Sequence, residues 1–219
     1  ASAVAWPAQT NGKPFELTRF NAKHPTIDPV SHAPIAPTPF YSTAIGFSTT
    51  PAGTALPHLD LAKVYVLTGR DTCSASEAVI NGLRGAGVQV VQIGSTTCGK
   101  PYGFYPQDNC GTTYFSIQFQ GVNAVGFGDY SDGFAPQNGS TAGLASSAVL
   151  PGCAVADDFT HALGDPAEGR LAAALQYRAS GSNCPAASGN AAQGRVAPMS
   201  ATEGRVLKSP FLSNRILLR

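Results

Sequence analysis

The stretch from Val64 to Gly103 limits the possible fold more than any other part of the chain. Residues 64–67 form a short apolar run rich in β-branched and aromatic side chains, which is typical of a buried strand. Residues 75–83 place apolar side chains at the spacing of one helix face, and residues 88–93 predict a second strand closed by Gly94. Strand, helix and strand within about 30 residues predict a parallel crossover unit, and therefore an α/β fold.

Two reactive side chains follow the two strands of this unit. Ser74 lies in the turn before the helix, and Lys100 lies in the glycine-rich loop after the second strand. Parallel strands bring their carboxyl-terminal loops to the same edge of a sheet. Because a neutral lysine can take the proton of a serine hydroxyl, the pattern predicts a Ser/Lys catalytic dyad.

Each of these residues also has a structural interpretation. Ser74 and Glu77 match a capping box, in which the serine hydroxyl and the glutamate carboxylate bind the first backbone amides of the helix. A hydroxyl held in this way is not free to attack, although a helix start also favours the negative charge of an oxyanion. Lys100 is either a solvated surface charge or a base that burial among small and aromatic neighbours keeps neutral.

The two motifs, in this order, resemble those of a known family. The run Thr72-Cys73-Ser74-Ala75-Ser76-Glu77, followed by Gly94-x-x-Thr97-x-Gly99-Lys100, resembles the signature of the S41 peptidases, the C-terminal processing or tail-specific proteases. The resemblance implies that Ser74 is the nucleophile and that Lys100 is the general base. It also implies that the backbone N–H of Ala75 is one oxyanion donor.

The same resemblance implies the fold and the activity. We expect stacked ββα units, as in the crotonase and Clp-peptidase superfamily. The expected enzyme is a bacterial, exported serine endopeptidase of the periplasm or cell envelope. It would cut extended polypeptides near their carboxyl ends through an acyl-enzyme, with no metal or organic cofactor. The alternative is a non-catalytic module of the same fold that binds peptide or cell-wall material.

The chain departs from the family pattern at two points. Many members carry Gln or Glu four residues after the lysine, where this chain has Phe104, and the sequence does not choose between Gln107 and Tyr102 as a substitute. No counterpart of the family's upstream glycine turn, which supplies a second oxyanion donor, precedes Lys63. We therefore expect residues 1–185 to be the carboxyl-terminal portion of a catalytic domain that lacks its upstream strand and any PDZ module. Residues 186–219 are expected to be a linker and tail. Such a fragment would be inactive alone and would self-associate or bind its missing segment.

Composition excludes some partners. The net charge is +1, so nothing electrostatic indicates nucleic acid. No apolar run approaches the roughly 20 residues that a membrane helix needs. Charged residues make up only 12% of the chain, well below the usual quarter. The surface is therefore either partly covered by another segment or typical of a Gly-, Ser- and Thr-rich exported protein.

The five cysteines suggest disulfides rather than zinc, because none forms a Cys-x-x-Cys pair. One possible pair, Cys98 with Cys110, would staple the lysine loop, and Cys153 with Cys184 would bracket a helical segment. Cys73 would then remain a buried thiol beside the nucleophile. Two disulfides would fit an oxidising compartment, whereas the alternative is five reduced cysteines in a cytosolic protein.

The remaining chain predicts a few further elements. Residues 25–57 contain many prolines and predict a long irregular excursion, either a cover over the active site or a passive loop. His24, His32 and His58 lie in or near it and offer an alternative base for Ser74, although none has an acid partner at a characteristic spacing. The other predicted elements are strands at 15–20 and 112–119, a helix at 157–163 ended by Gly164, and a helix at 166–179.

Overall fold

A computed structural model describes residues 7–185 of the chain, so the predicted linker and tail at 186–219 lie outside the described residues. The helices are α1 (Pro7–Thr10), α2 (Ala75–Ala86) and α3 (Gly169–Ser180), and a 3₁₀ turn spans Ser146–Ala148. The strands in chain order are β1 (Pro14–Arg19), β2 (Thr38–Pro39), β3 (Lys63–Thr68), β4 (Gln89–Gly94), β5 (Tyr102–Gly103), β6 (Pro106–Asn109), β7 (Thr112–Phe115), β8 (Phe119–Val122), β9 (Ala135–Pro136), β10 (Val149–Leu150) and β11 (Gly152–Ala154).

A parallel sheet with the order β11-β4-β3 is the centre of the described fold. Strands β3 and β4 are in continuous register from the pair Lys63 and Gln89 to the pair Thr68 and Gly94. The predicted strand–helix–strand crossover is therefore confirmed, with the helix extended to Ala86 and ended by Gly87 at φ 93°. A left-handed C-cap of this kind favours glycine because it has no Cβ.

Helices cover both faces of the parallel sheet. Val90 packs with Ile80 and Leu83 of α2, whereas Val91 and Ile93 pack against Ala173 and Ala174 of α3. Neighbouring residues of β4 thus point to opposite layers, as the alternation of a strand requires. Burial of β4 on both faces explains why its buried part, from Val90 to Ile93, is apolar except for Gln92.

An antiparallel sheet with the order β2-β1-β8-β5 packs on the other side of α2. Its close approach depends on a helical glycine. A Cβ at Gly82 would lie 2.5 Å from the ring of Phe15 in β1. Because Gly82 has no Cβ, strand β1 can pack this close to helix α2. The antiparallel sheet is thereby held against the helix that follows Ser74.

Three of the predicted elements were wrong in extent or type. The single strand predicted at 112–119 is two strands that change partners: β7 pairs with β6, and β8 pairs with β1 and β5. The helix predicted at 157–163 is absent, because the carboxylate of Asp158 bonds the backbone and hydroxyl of Thr160 and so closes a turn. Helix α3 begins at Gly169, not at 166, because Glu168 caps it by accepting from the amides of Arg170 and Leu171.

The excursion at 25–57 is irregular, as predicted, apart from β2 and two isolated bridges. Within residues 7–185, no helix is long and apolar enough to cross a membrane. The described chain is thus a mixed α/β fold with few helices and several small sheets.

Candidate active site

Ser74 occupies a strained turn between β3 and α2. Its φ is 53°, a left-handed value that residues with a Cβ rarely adopt, and its side chain is exposed. Strain of this kind persists only where surrounding contacts fix the backbone, and it is concentrated at functional sites. Ala75 is the first residue of α2, and its N–H has no hydrogen-bond partner among the described residues, as is normal at a helix start.

The capping box is formed more fully on the glutamate side than on the serine side. The backbone N–H of Ser74 donates to Oε2 of Glu77 at 3.0 Å. The hydroxyl of Ser74 approaches the Glu77 amide but completes no capping hydrogen bond. Both halves of the predicted capping box are nevertheless present, and Ser74 itself is exposed at the surface.

The loop that carries Lys100 is held against the Ser74 turn and against the segment at 131–134. Cys98 N–H donates to the carbonyl of Thr72 at 3.0 Å, and Thr97 N–H donates to the carbonyl of Phe134 at 2.9 Å. Gly99 has φ 81°, and a Cβ there would lie 2.2 Å from the carbonyl oxygen of Ser131. The glycine before the lysine is thus required by both its conformation and its surroundings.

The Lys100 side chain is exposed, so the buried alternative of the sequence analysis does not hold in this structure. Its ammonium lies 5.9 Å from the centre of the Phe104 ring, which is within the range of a cation–π contact. No hydrogen bond joins Lys100 to Ser74 in the described chain. Neither Gln107 nor Tyr102 bonds the lysine among these residues, so no substitute for the polar residue missing at Phe104 is identified.

Glu77 connects the two loops, a role that sequence reasoning missed. Its side chain is fully buried. Its carboxylate accepts hydrogen bonds from Ser74 N–H and Lys100 N–H on one oxygen, at 3.0 and 2.8 Å. The other oxygen accepts from the Thr97 hydroxyl and Gly99 N–H, at 2.5 and 2.7 Å. The only sequence signal was the position of Glu77 in the capping box, which explains one of these four bonds.

The charge of Glu77 also reaches the neighbouring aromatic core. Burial raises the pKa of the Tyr130 phenol above its ordinary value, and the nearby carboxylates of Glu77 and Glu16 raise it further. Tyr130 stacks on Phe134, with ring centres 4.6 Å apart. Because Phe134 also bonds the lysine loop, the aromatic core supports the loop directly.

A disulfide joins Cys73 to Cys98, with Cα atoms 5.3 Å apart. The suggested pair of Cys98 with Cys110 was therefore wrong, as was the free thiol at Cys73. The reason is topological: Cys73 and Cys98 follow neighbouring parallel strands, whereas Cys110 is exposed in the two-residue turn between β6 and β7. The suggested pair of Cys153 with Cys184 is present.

The histidines do not form a site with Ser74. His58 pairs with Asp60 at 2.5 Å, a contact that the spacing of the two residues did not indicate. A second pair joins His161 to Asp158 at 2.7 Å. Hydrogen bonds from Thr160, and then from His161, hold the pKa of the Asp158 carboxyl below its ordinary value, and the bond to Asp158 raises the pKa of the His161 imidazole. Neither imidazole is hydrogen-bonded to Ser74 within the described chain.

Comparison with known proteins identifies the fold. No protein-family model and no curated protein matches the sequence. A crystal structure from Bacteroides fragilis, titled as a "putative S41 protease", matches with a TM-score of 0.59 and 23% identity. The match covers 83% of this chain but only 40% of that protein, so the chain spans less than half of its structural relative. At this level of identity the likeness concerns the fold alone: the described chain is folded like the matching part of that protein.

Proposed function

We propose that the protein is a serine endopeptidase that uses Ser74 and Lys100 as a catalytic dyad. The observation that carries the proposal is the junction of the two motif loops at the carboxyl edge of β3 and β4. There the backbone amides of both residues bind one oxygen of Glu77. The likeness of the fold to a protein titled as an S41 protease supports the same conclusion.

The proposed chemistry is acyl transfer from a peptide. Lys100, in its neutral form, takes the proton of the Ser74 hydroxyl, and the serine oxygen attacks the scissile carbonyl. The unpaired N–H of Ala75, at the start of α2, stabilises the oxyanion. Lys100 returns the proton to the leaving amine as the acyl-enzyme forms on Ser74. It then takes a proton from water, which attacks the acyl-enzyme, releases the acid and restores the Ser74 hydroxyl. No metal or organic cofactor takes part.

In this mechanism, bound substrate shields Ser74 and Lys100 from water and so creates the environment that the reaction needs. Lys100 is exposed in the free chain, and an ammonium in water is a poor base. An extended polypeptide bound across the Ser74 turn would exclude water from both side chains, which favours the neutral amine. Catalytic hydrogen bonds are often absent in free enzymes and form only with substrate, so the missing Ser74–Lys100 bond is compatible with this mechanism.

In this proposal residues 1–185 are the carboxyl-terminal portion of a catalytic domain, arranged as stacked ββα units. The second oxyanion donor comes from a segment upstream of these residues in the full-length protein. The substrate is an extended polypeptide cut near its carboxyl end. Two disulfides in the described chain support an exported protein of the periplasm or cell envelope.

A non-catalytic peptide- or cell-wall-binding module is the second candidate function. The observations that favour it are the exposure of Lys100, its lack of a hydrogen bond to Ser74, and the apolar Phe104 beside it. In that case Ser74 is only the N-cap of α2.

Peptide cleavage by the full-length protein tests the proposal. An unstructured polypeptide of known sequence is incubated with the wild type, Ser74→Ala and Lys100→Ala, and the products are measured by mass spectrometry. We expect the wild type to cut and both variants to lose at least about 10³-fold in rate. The matched controls are Ser76→Ala, in the same motif, and Lys23→Ala, another exposed lysine; both should remain active. Cleavage that survives in the Ser74 or Lys100 variant would contradict the dyad.

A further inference from the structure

We propose that Glu77 is a positioning residue that sets the distance between the nucleophile and the base. This inference rests on the proposed function, since it assigns to one buried carboxylate the alignment of Ser74 with Lys100. Glu77 is fully buried, whereas Ser74 and Lys100 are exposed. It therefore lies beneath the site and acts through the backbone, without touching substrate.

One oxygen of Glu77 binds the backbone of both loops. Oε2 of Glu77 accepts from Ser74 N–H at 3.0 Å and from Lys100 N–H at 2.8 Å. Two nitrogens bound to one acceptor cannot be more than about 6 Å apart. Among the described residues, Glu77 is the only side chain that bonds the backbone of both Ser74 and Lys100. The Cys73–Cys98 disulfide and the Cys98–Thr72 bond join their neighbours instead.

The second oxygen fixes the shape of the lysine loop. Oε1 accepts from the Thr97 hydroxyl and from Gly99 N–H. The Thr97 oxygen in turn accepts from Phe134 N–H at 2.7 Å, so the Thr97 proton must point to Glu77. The carboxylate thus holds the loop at Thr97, Gly99 and Lys100, and connects it to the core through Phe134.

Only a carboxylate satisfies this arrangement. Four donors converge on two oxygens, and each oxygen takes two of them. A glutamine has nearly the same shape, but its amide nitrogen is itself a donor. Whichever way the amide is turned, two donors lose their acceptor beside a side chain that is fully buried. Leaving buried donors unpaired is costly, so the loops would move to recover partners.

Active-site labelling tests this inference on the full-length protein. The variants are Glu77→Gln and the charge-retaining Glu77→Asp, and the probe is a fluorophosphonate whose maximal rate and half-saturating concentration are both measured. The matched control is Glu168→Gln. Glu168 is also a buried glutamate at a helix start, and it accepts from the amides of Arg170 and Leu171 instead.

We expect Glu77→Gln to lower the maximal labelling rate by about 10²-fold, the typical effect of a displacement near 1 Å, with little change in half-saturation. Glu77→Asp should recover part of the rate. Glu168→Gln should lower the unfolding temperature by about as much as Glu77→Gln does, but it should label at the wild-type rate. A rate loss shared by both glutamine variants would indicate general destabilisation and would overturn the inference.

The failure of this inference is distinguishable from failure of the proposed function. If labelling requires Ser74 and Lys100 but Glu77→Gln labels normally, only the positioning role is wrong. If the wild type does not label at all, the proposed function fails and amide hydrogen exchange decides the role of Glu77. Faster exchange at both Ser74 and Lys100 in Glu77→Gln, relative to Glu168→Gln, would support the positioning role. Unchanged exchange would overturn it.

Discussion

At the scale of single residues, the site depends on backbone positions that few side chains tolerate. Ser74 has a Cβ and yet adopts φ 53°, and Gly99 lies at φ 81° against the carbonyl of Ser131. Both residues bond Glu77 through their amides. The strain at the serine is therefore compensated by the same carboxylate that holds the lysine loop.

Replacement of Gly99 by alanine separates conformational strain from a steric clash. The new Cβ would lie 2.2 Å from the Ser131 oxygen, so the lysine loop must shift. We expect a loss of about 3 kcal/mol in the free energy of unfolding and a large fall in fluorophosphonate labelling. The control is Gly111→Ala, which has a similar φ of 77° but open space around its Cβ.

Chemical denaturation and labelling rate measure the two effects. Gly111→Ala should lose only about 1 kcal/mol, the cost of a left-handed conformation, and should label normally. Equal losses of stability in the two variants would show that the contact between Gly99 and Ser131 does not hold the lysine loop.

At the scale of elements, the sequence predicted what depends on local pattern. The strands on either side of α2 were identified from a continuous apolar run, and the parallel crossover brought the loops of Ser74 and Lys100 together. The same topology also pairs Cys73 with Cys98, but the prediction paired Cys98 with the cysteine nearer in sequence. The segment at 131–134 also holds the lysine loop, through the bond from Phe134 to Thr97 and the close approach of Ser131 to Gly99, and no local pattern connects this segment to the site.

Other errors had a local cause. Asp158 and Glu168 were both predicted to lie within helices. In the structure Asp158 accepts from the amide of Thr160 in a turn, and Glu168 accepts from the first amides of α3. Short acidic side chains compete with helix formation in this way, and sequence pattern alone does not show which outcome prevails.

The disulfide between Cys73 and Cys98 should matter for the site as well as for stability. Replacing both residues by alanine removes a crosslink with a sequence separation of 25, for which about 3 kcal/mol of stability is expected. Because the crosslink joins the residue before Ser74 to the Lys100 loop, labelling should also fall severalfold. Thermal unfolding and labelling rate check the two expectations.

The second disulfide provides the matched control for this experiment. Cys153 and Cys184 have a sequence separation of 31 and tie β11 to the chain after α3. Their removal should cost a similar amount of stability, again about 3–4 kcal/mol, but leave labelling unchanged below the unfolding temperature. A labelling loss of the same size in both double variants would contradict a specific role for the Cys73–Cys98 bond.

At the scale of the whole molecule, the parallel sheet ends in the described chain at an open edge. Strand β3 has a partner on one side only, and Leu67 at its carboxyl end is 46% exposed. Open apolar strand edges are sites of further strand pairing, and a net charge of +1 offers little repulsion. This edge is where we propose that a strand from the rest of the full-length protein pairs.

The 219-residue chain alone is therefore expected to self-associate through β3. Light scattering should show a mass that rises with concentration, and Leu67→Lys should reduce the rise. The control is Leu163→Lys, since Leu163 is 98% exposed in a loop far along the chain from β3. A monomer at all concentrations would count against a strand missing from this edge.

The central claim is that Ser74 and Lys100 act as one catalytic unit, and fluorophosphonate labelling of the full-length protein across pH 6 to 10 tests it most directly. We expect labelling on Ser74 that is abolished in Ser74→Ala and in Lys100→Ala. In the wild type the labelling rate should rise from pH 6 to 10, because the mechanism needs an unprotonated base. Labelling that is absent, or that is indifferent to Lys100, would contradict the dyad and leave Ser74 as the cap of a helix in a binding module.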